Sequence, residues 1–152
     1  MHTLTTLCST LLARRLSVVF PVLCMAVLLL LSSIPGTLAP DDPLSFRLFA
    51  WIPAMVQNFL HIPAYALLGF AWRWYLKAWM KPARAGMLAF AAAVGFGVLE
   101  ESYQSIIPGR IASLTDILFN AIGAVLGIWL FNKLHRKYCE VETCVSSAGK
   151  PT

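Results

Sequence analysis

The stretch LSVVFPVLCMAVLLLLSSI, residues 16–34, contains no charged side chain. A helix that crosses a bilayer needs about 20 mostly apolar residues, and this run has that length and character. Ser32, Ser33, Pro35 and Gly36 close it. Three further runs follow. One spans about Ala54 to Lys77, with His61 near its start and Arg73 near its end. The next spans about Ala85 to Ile107 and is apolar until Glu100 and Glu101, after which Pro108 and Gly109 force a turn. The last spans about Leu114 to Leu134, with Asp116 and Asn120 near its start. The fold class is therefore expected to be all-α, a bundle of four transmembrane helices. It divides the chain into an N-terminal segment (1–15), a membrane domain (16–134) and a polar tail (135–152) without apolar periodicity, expected to be loose.

Composition agrees. Hydrophobic residues make up 59% of the 152 and charged residues 12%, half the roughly 25% of soluble domains. The mean hydropathy is +0.72. A net charge of +5 would suit nucleic acid only if the basic groups formed one solvated face. They sit instead in short groups between apolar runs, so no nucleic-acid partner is expected. Cys8, Cys24, Cys139 and Cys144 show no C-x-x-C spacing and read as free thiols. Arg14 and Arg15 before the first run, and Thr37-Leu38-Ala39 after it, resemble a signal peptide. The uncharged run is longer than a usual signal core, and the reading adopted is an uncleaved span.

Orientation follows from the basic residues. With the N-terminus inside, the inner segments hold Arg14, Arg15, Arg73, Lys77, Lys81, Arg84, Lys133, Arg136, Lys137 and Lys150, and the outer ones only Arg47 and Arg110. Ten against two selects both termini in the cytoplasm under the positive-inside rule. The connection from Pro35 to Pro53, with Asp41 and Asp42, is then external.

That orientation gathers the ionisable groups. His61 lies near the outer end of the second span, Glu100, Glu101 and Gln104 near the outer end of the third, Arg110 in the outer turn, and Asp116 and Asn120 at the outer start of the fourth. Ionisable residues inside a membrane are costly and default to a functional hypothesis. Glu101 and Gln104 share a helix face, as do Asp116 and Asn120. The latter face continues into Gly123 and Gly127, a G-x-x-x-G that admits a neighbouring backbone. Asn58, His61, Tyr65 and Gly69 repeat the plan on the second helix, and Gly97 lies one turn inward of Glu101. The expectation is tight packing through Gly69, Gly97, Gly123 and Gly127 beneath a polar pocket open to the outside. Glu100 is expected to point off the Glu101 face, toward headgroups. Interhelical hydrogen bonds average only about 0.6 kcal/mol, a weak reason for six or more polar groups, so a site is favoured over mere glue.

At this point the residues resemble the VanZ-like membrane proteins. The segment His61-Ile-Pro-Ala-Tyr65-Ala-Leu-Leu-Gly69 is similar to that family's histidine–tyrosine segment. Glu101-x-x-Gln104, Pro108-Gly109-Arg110 and Asp116-x-x-x-Asn120-x-x-Gly123-x-x-x-Gly127 are similar to its second half. Ser32-Ser33-Ile34-Pro35-Gly36 also fits, and the likeness covers roughly residues 30–130. One departure is Gln57-Asn58, where many members carry Asp-Lys; a role for that charged pair is not carried over. The resemblance implies a bacterial envelope role at the outer face of the cytoplasmic membrane, with a link to teicoplanin-type antibiotic resistance. It supplies no reaction.

Three functions are open. In a binding protein, Arg110, Tyr65, Gln104 and Asn120 would contact a lipid headgroup, a cell-wall lipid intermediate or a lipoglycopeptide, guanidinium matching phosphate or carboxylate. In an intramembrane enzyme acting on a lipid headgroup or phosphate, His61 would be general acid or base, with Glu101 or Asp116 as its carboxylate. No nucleophile elbow or lipid-phosphatase motif is present, so the reading leans away from catalysis. In a structural protein the glycine face would dock another membrane protein. A metal on His61, Glu101 and Asp116 is chemically feasible, but their spacing matches no recognised zinc motif, so neither metal nor cofactor is expected. The expected partners are membrane lipids, with a cell-wall precursor or a second membrane protein beside them.

Overall fold

The computed structural model describes residues 17–34, 54–107, 110 and 113–148. The Pro35–Pro53 connection, the Pro108-Gly109 turn and the N-terminal arginines lie outside the described residues. The described chain is all-helical, with no strand. Four helices follow one another: α1 (Val19–Ser32), α2 (Ala54–Leu76), α3 (Pro82–Gln104) and α4 (Leu114–Ala148).

The helix ends have local causes. α3 starts at Pro82, three residues before the expected Ala85, because proline is favoured at the first helical position, where its missing N–H has no partner to lose. It ends at Gln104, ahead of Pro108, which disfavours helix in the residue before it. α4 departs most from expectation: it continues through the polar tail to Ala148. No glycine or proline occurs from Ile128 to Ala148, and Lys, Arg, Glu and Leu are good helix formers. An existing helix extends over such residues without a new nucleation step.

α2 and α4 form the most extensive interface. Ile62 faces Gly123 and Ala66 faces Gly127, so the two helices run in the same direction. The approach is close enough to exclude side chains. A Cβ at Gly127 would meet the Ala66 carbonyl carbon at 2.7 Å, and one at Gly69 would meet the Ala124 carbonyl oxygen at 2.6 Å. At Gly97 a Cβ would meet Asn120 Nδ2 at 2.8 Å. The G-x-x-x-G face is thus occupied by α2 of the same chain. Ala85, Ala89 and Ala93 give α3 a matching stripe of small buried residues. Tyr65, Leu68, Ala93, Phe96 and Ala124 form the central core.

Among the described residues, two helices are long and apolar enough to cross a membrane: Pro82–Gln104, and α4 over Leu114–Cys139. A third or less of each apolar window is buried within the bundle. All four helices expose large apolar residues, including Leu23 and Leu30 on α1, Phe59 and Leu67 on α2, Met87 and Leu99 on α3, and Leu118 and Val125 on α4. At the end of the bundle opposite the acidic residues, Arg73 is buried with its guanidinium carbon 5.0 Å from the centroid of Phe131. Lys77 lies 5.3 Å from the same ring, a cation–π arrangement.

Candidate functional site

The polar ends of all four helices meet at one end of the bundle. α1 and α3 contribute their C-terminal ends, α2 and α4 their N-terminal ends. Hydrogen bonds across the helices fix this placement, and they fall into two networks of different character.

The first network is closed. Both oxygens of Glu100 accept short hydrogen bonds, one from the Ser32 hydroxyl and one from the Tyr65 hydroxyl. Gln104 Nε2 donates to Ser32 Oγ at 3.0 Å. Tyr65 is fully buried and Glu100 is 2% exposed. This corrects the expectation that Glu100 points toward headgroups. The α3 stripe of Ala85, Ala89, Ala93 and Gly97 continues at a step of three onto Glu100 and at a step of four onto Glu101. Both carboxylates therefore turn inward. Tyr65 and Gln104, expected to bind a ligand, here donate to Glu100 and to Ser32 through Oη and Nε2. Ser32, which the sequence reads only as a helix end, is a member of the network.

The second network is open. His61 Nδ1 lies 2.8 Å from Asn120 Oδ1. A carbonyl oxygen only accepts, so His61 Nδ1 is the donor of this bond, and Nε2 is not engaged by it. The Ser113 backbone N–H donates to Glu101 Oε2 at 3.2 Å. Glu101 is 3% exposed and Asp116 5%. Yet Glu101 Oε1, Asp116 Oδ1 and Asn120 Nδ2 have no hydrogen-bond partner among the described residues. One ligand atom each from His61, Glu101 and Asp116 lies within 4.8 Å of the other two. The fold thus brings together from α2, α3 and α4 the three residues that the sequence offers as a chemically feasible metal set. One imidazole and two carboxylates are a donor set that can hold a divalent cation.

Arg110 reaches the end of α1. Its Nε donates to the Ile34 carbonyl at 3.1 Å, and Nη2 lies 3.5 Å from the Leu31 carbonyl. Leu31 lies in the last turn of α1 and Ile34 two residues past its end, where the carbonyls form the negative end of the helix dipole; Leu31 O also accepts from the Ile34 N–H at 3.3 Å. Arg110 therefore ties the turn before α4 to the end of α1. Its guanidinium charge still bears on Asp116. Ser33 Oγ and Tyr103 Oη, 3.1 Å apart, add a further tie between the end of α1 and α3.

A small all-helical bundle with apolar outer faces and one acidic, histidine-bearing polar end is the class that fold and site define. Within that class the VanZ/LLP1 family model matches residues 17–135, and the chain belongs to the VanZ/LLP1 family. No curated protein and no solved structure matches the chain.

Proposed function

We propose that the protein is a four-span bacterial inner-membrane protein, both termini in the cytoplasm, whose polar end faces the envelope and binds the headgroup of an amphiphile. The ligand class is a lipid headgroup, a cell-wall lipid intermediate or a lipoglycopeptide. The last two would connect this chain to teicoplanin-type sensitivity. The observation that carries the reading is the pair of buried carboxylate oxygens, on Glu101 and Asp116, without a hydrogen-bond partner among the described residues. Leaving a buried acceptor unsatisfied costs about 1–3 kcal/mol, more for a charged group, and a bound ligand offsets that cost. Outward apolar residues on all four helices, and the distribution of basic residues, support the membrane placement.

The second reading, an intramembrane enzyme, is favoured by one feature: the His61 ring is held by Asn120 through Nδ1, which leaves Nε2 to bind or to exchange a proton. Photocrosslinking of the protein in nanodiscs with a diazirine phospholipid and a diazirine polyprenyl phosphate tests binding and separates the two lipid sources. The expected result is labelling of residues 58–61 and 113–120 that falls in Asp116→Asn and His61→Ala. Labelling confined to the outward apolar faces, and equal in both variants, counts against the proposal. Release of a chemically changed headgroup would establish the enzyme instead.

A further inference from the structure

We infer that His61, Glu101 and Asp116 form a binding site for one divalent first-row transition cation, such as Mn2+ or Zn2+. Three observations on separate helices agree. The donor atoms lie within 4.8 Å of one another. Ligands bound at about 2.0–2.2 Å to one ion are separated by roughly 3.0–3.4 Å, so a small rotation of each side chain closes the set. The oxygens that would close it, Glu101 Oε1 and Asp116 Oδ1, are buried and have no competing partner among the described residues. The carboxylate side chains are more than nine-tenths buried.

The surroundings match a metal site beyond its ligands. A metal-binding histidine donates its other ring N–H to a fixed acceptor, which sets the tautomer and the ring orientation. Asn120 Oδ1 takes that place for His61, and Ser113 N–H fixes the second oxygen of Glu101. Gly97 is required beside Asn120, since a Cβ there would meet Asn120 Nδ2 at 2.8 Å. The glycine thus preserves the residue that holds the ligand. Two adjacent carboxylates repel each other in a low-dielectric setting, and a divalent charge between them removes the repulsion. The imidazole suits zinc or iron and the two carboxylates suit manganese, whereas calcium and magnesium prefer oxygen alone. Three protein ligands leave coordination positions for water or a ligand oxygen.

The cation resolves a difficulty in the headgroup reading. An acid-rich cluster repels a phosphate, whereas a cation held by that cluster attracts one. This bridging role rests on the proposed function; the cation site itself does not.

The test uses the full chain purified without a histidine tag, stripped with EDTA and dialysed against Mn2+ or Zn2+, with metal content measured by mass spectrometry. One ion per chain is expected. Affinity should fall at least roughly tenfold in Glu101→Gln, Asp116→Asn and His61→Ala, and by about 10–100-fold in Asn120→Ala, which removes only the orienting acceptor. The double variant His135→Ala/Cys139→Ser, which disrupts the other histidine-bearing pair, 3.7 Å apart on α4, should keep the ion. Pulsed electron paramagnetic resonance of the Mn2+-loaded native protein should show coupling to a single imidazole nitrogen, and this readout needs no variant to fold. Negligible uptake by the native chain, absence of nitrogen coupling, or loss of the ion only in the His135/Cys139 variant overturns the site. Uptake with crosslinking to lipid absent retires the headgroup reading and leaves the cation; crosslinking without uptake does the reverse.

Discussion

Replacing Gly127 by Ala adds one methyl group at the closest approach of α2 and α4. That methyl would meet the Ala66 carbonyl carbon at 2.7 Å and its Cα at 2.9 Å, with the carbonyl oxygen nearer still. Carbon atoms in optimal contact lie about 3.5–4.0 Å apart, so the helices must separate by roughly 1 Å. Both partners are backbone and cannot rotate away. A gap of that size forfeits a quarter to a half of the dispersion energy of each contact along the interface. Overpacking of this kind costs about 1–3 kcal/mol, and the backbone-to-backbone clash places Gly127→Ala at the upper end, about 2–3 kcal/mol. At 1.4 kcal/mol per factor of ten, that is a loss of at least roughly 25-fold in the folding equilibrium. Gly95→Ala is the control, because a Cβ there meets nothing within 4 Å. It should be neutral, or stabilising by up to about 1 kcal/mol through helix propensity. Reversible unfolding in mixed micelles with increasing SDS measures both. Equal midpoints for the two variants, or a Gly127→Ala cost below about 0.5 kcal/mol, would refute the close-packed α2–α4 interface.

Three further outcomes follow from the site. Tyr65→Phe removes one of the two hydroxyl groups on Glu100 and should cost about 1–2 kcal/mol in the same assay. Combined with Glu100→Gln its effect should be non-additive, and simple additivity would deny the pair. Arg110→Lys cannot reproduce the two donor positions on the α1 carbonyls. Faster hydrogen exchange at Leu31–Ile34, with α4 unchanged, is the expected signature. Gly97→Ala should displace Asn120 and weaken whatever His61 binds, read as reduced lipid-probe labelling at residues 58–61 with the helix content unchanged.

The helices were legible because apolar length and the proline and glycine breaks are local properties of the chain. The α4 extension was not, since a polar tail shows no periodicity and helix propensity alone had to carry it. The gathering of polar residues at one end was legible from their depth along each span. What remained hidden was pairing. Glu100 and Glu101 are neighbours in sequence and differ by about 100° around the helix, yet both reach inward because the alanine stripe of α3 is wide. The partners of Glu100, Ser32 and Tyr65, are 68 and 35 residues away. No spacing rule links His61, Glu101 and Asp116 either; only the packing of α2, α3 and α4 does. The same packing draws Tyr65 and Gln104 into the closed network.

The outward-facing polar site is tested most directly by thiol accessibility. Ser113→Cys places a thiol beside Glu101, and Lys77→Cys places one just beyond the far end of α2, in a chain with the four native cysteines changed to serine. Intact cells are treated with a membrane-impermeant maleimide. The account predicts labelling of the position-113 thiol in intact cells and of the position-77 thiol only after permeabilisation. The reverse pattern would place the His61, Glu101 and Asp116 cluster on the cytoplasmic side and contradict it.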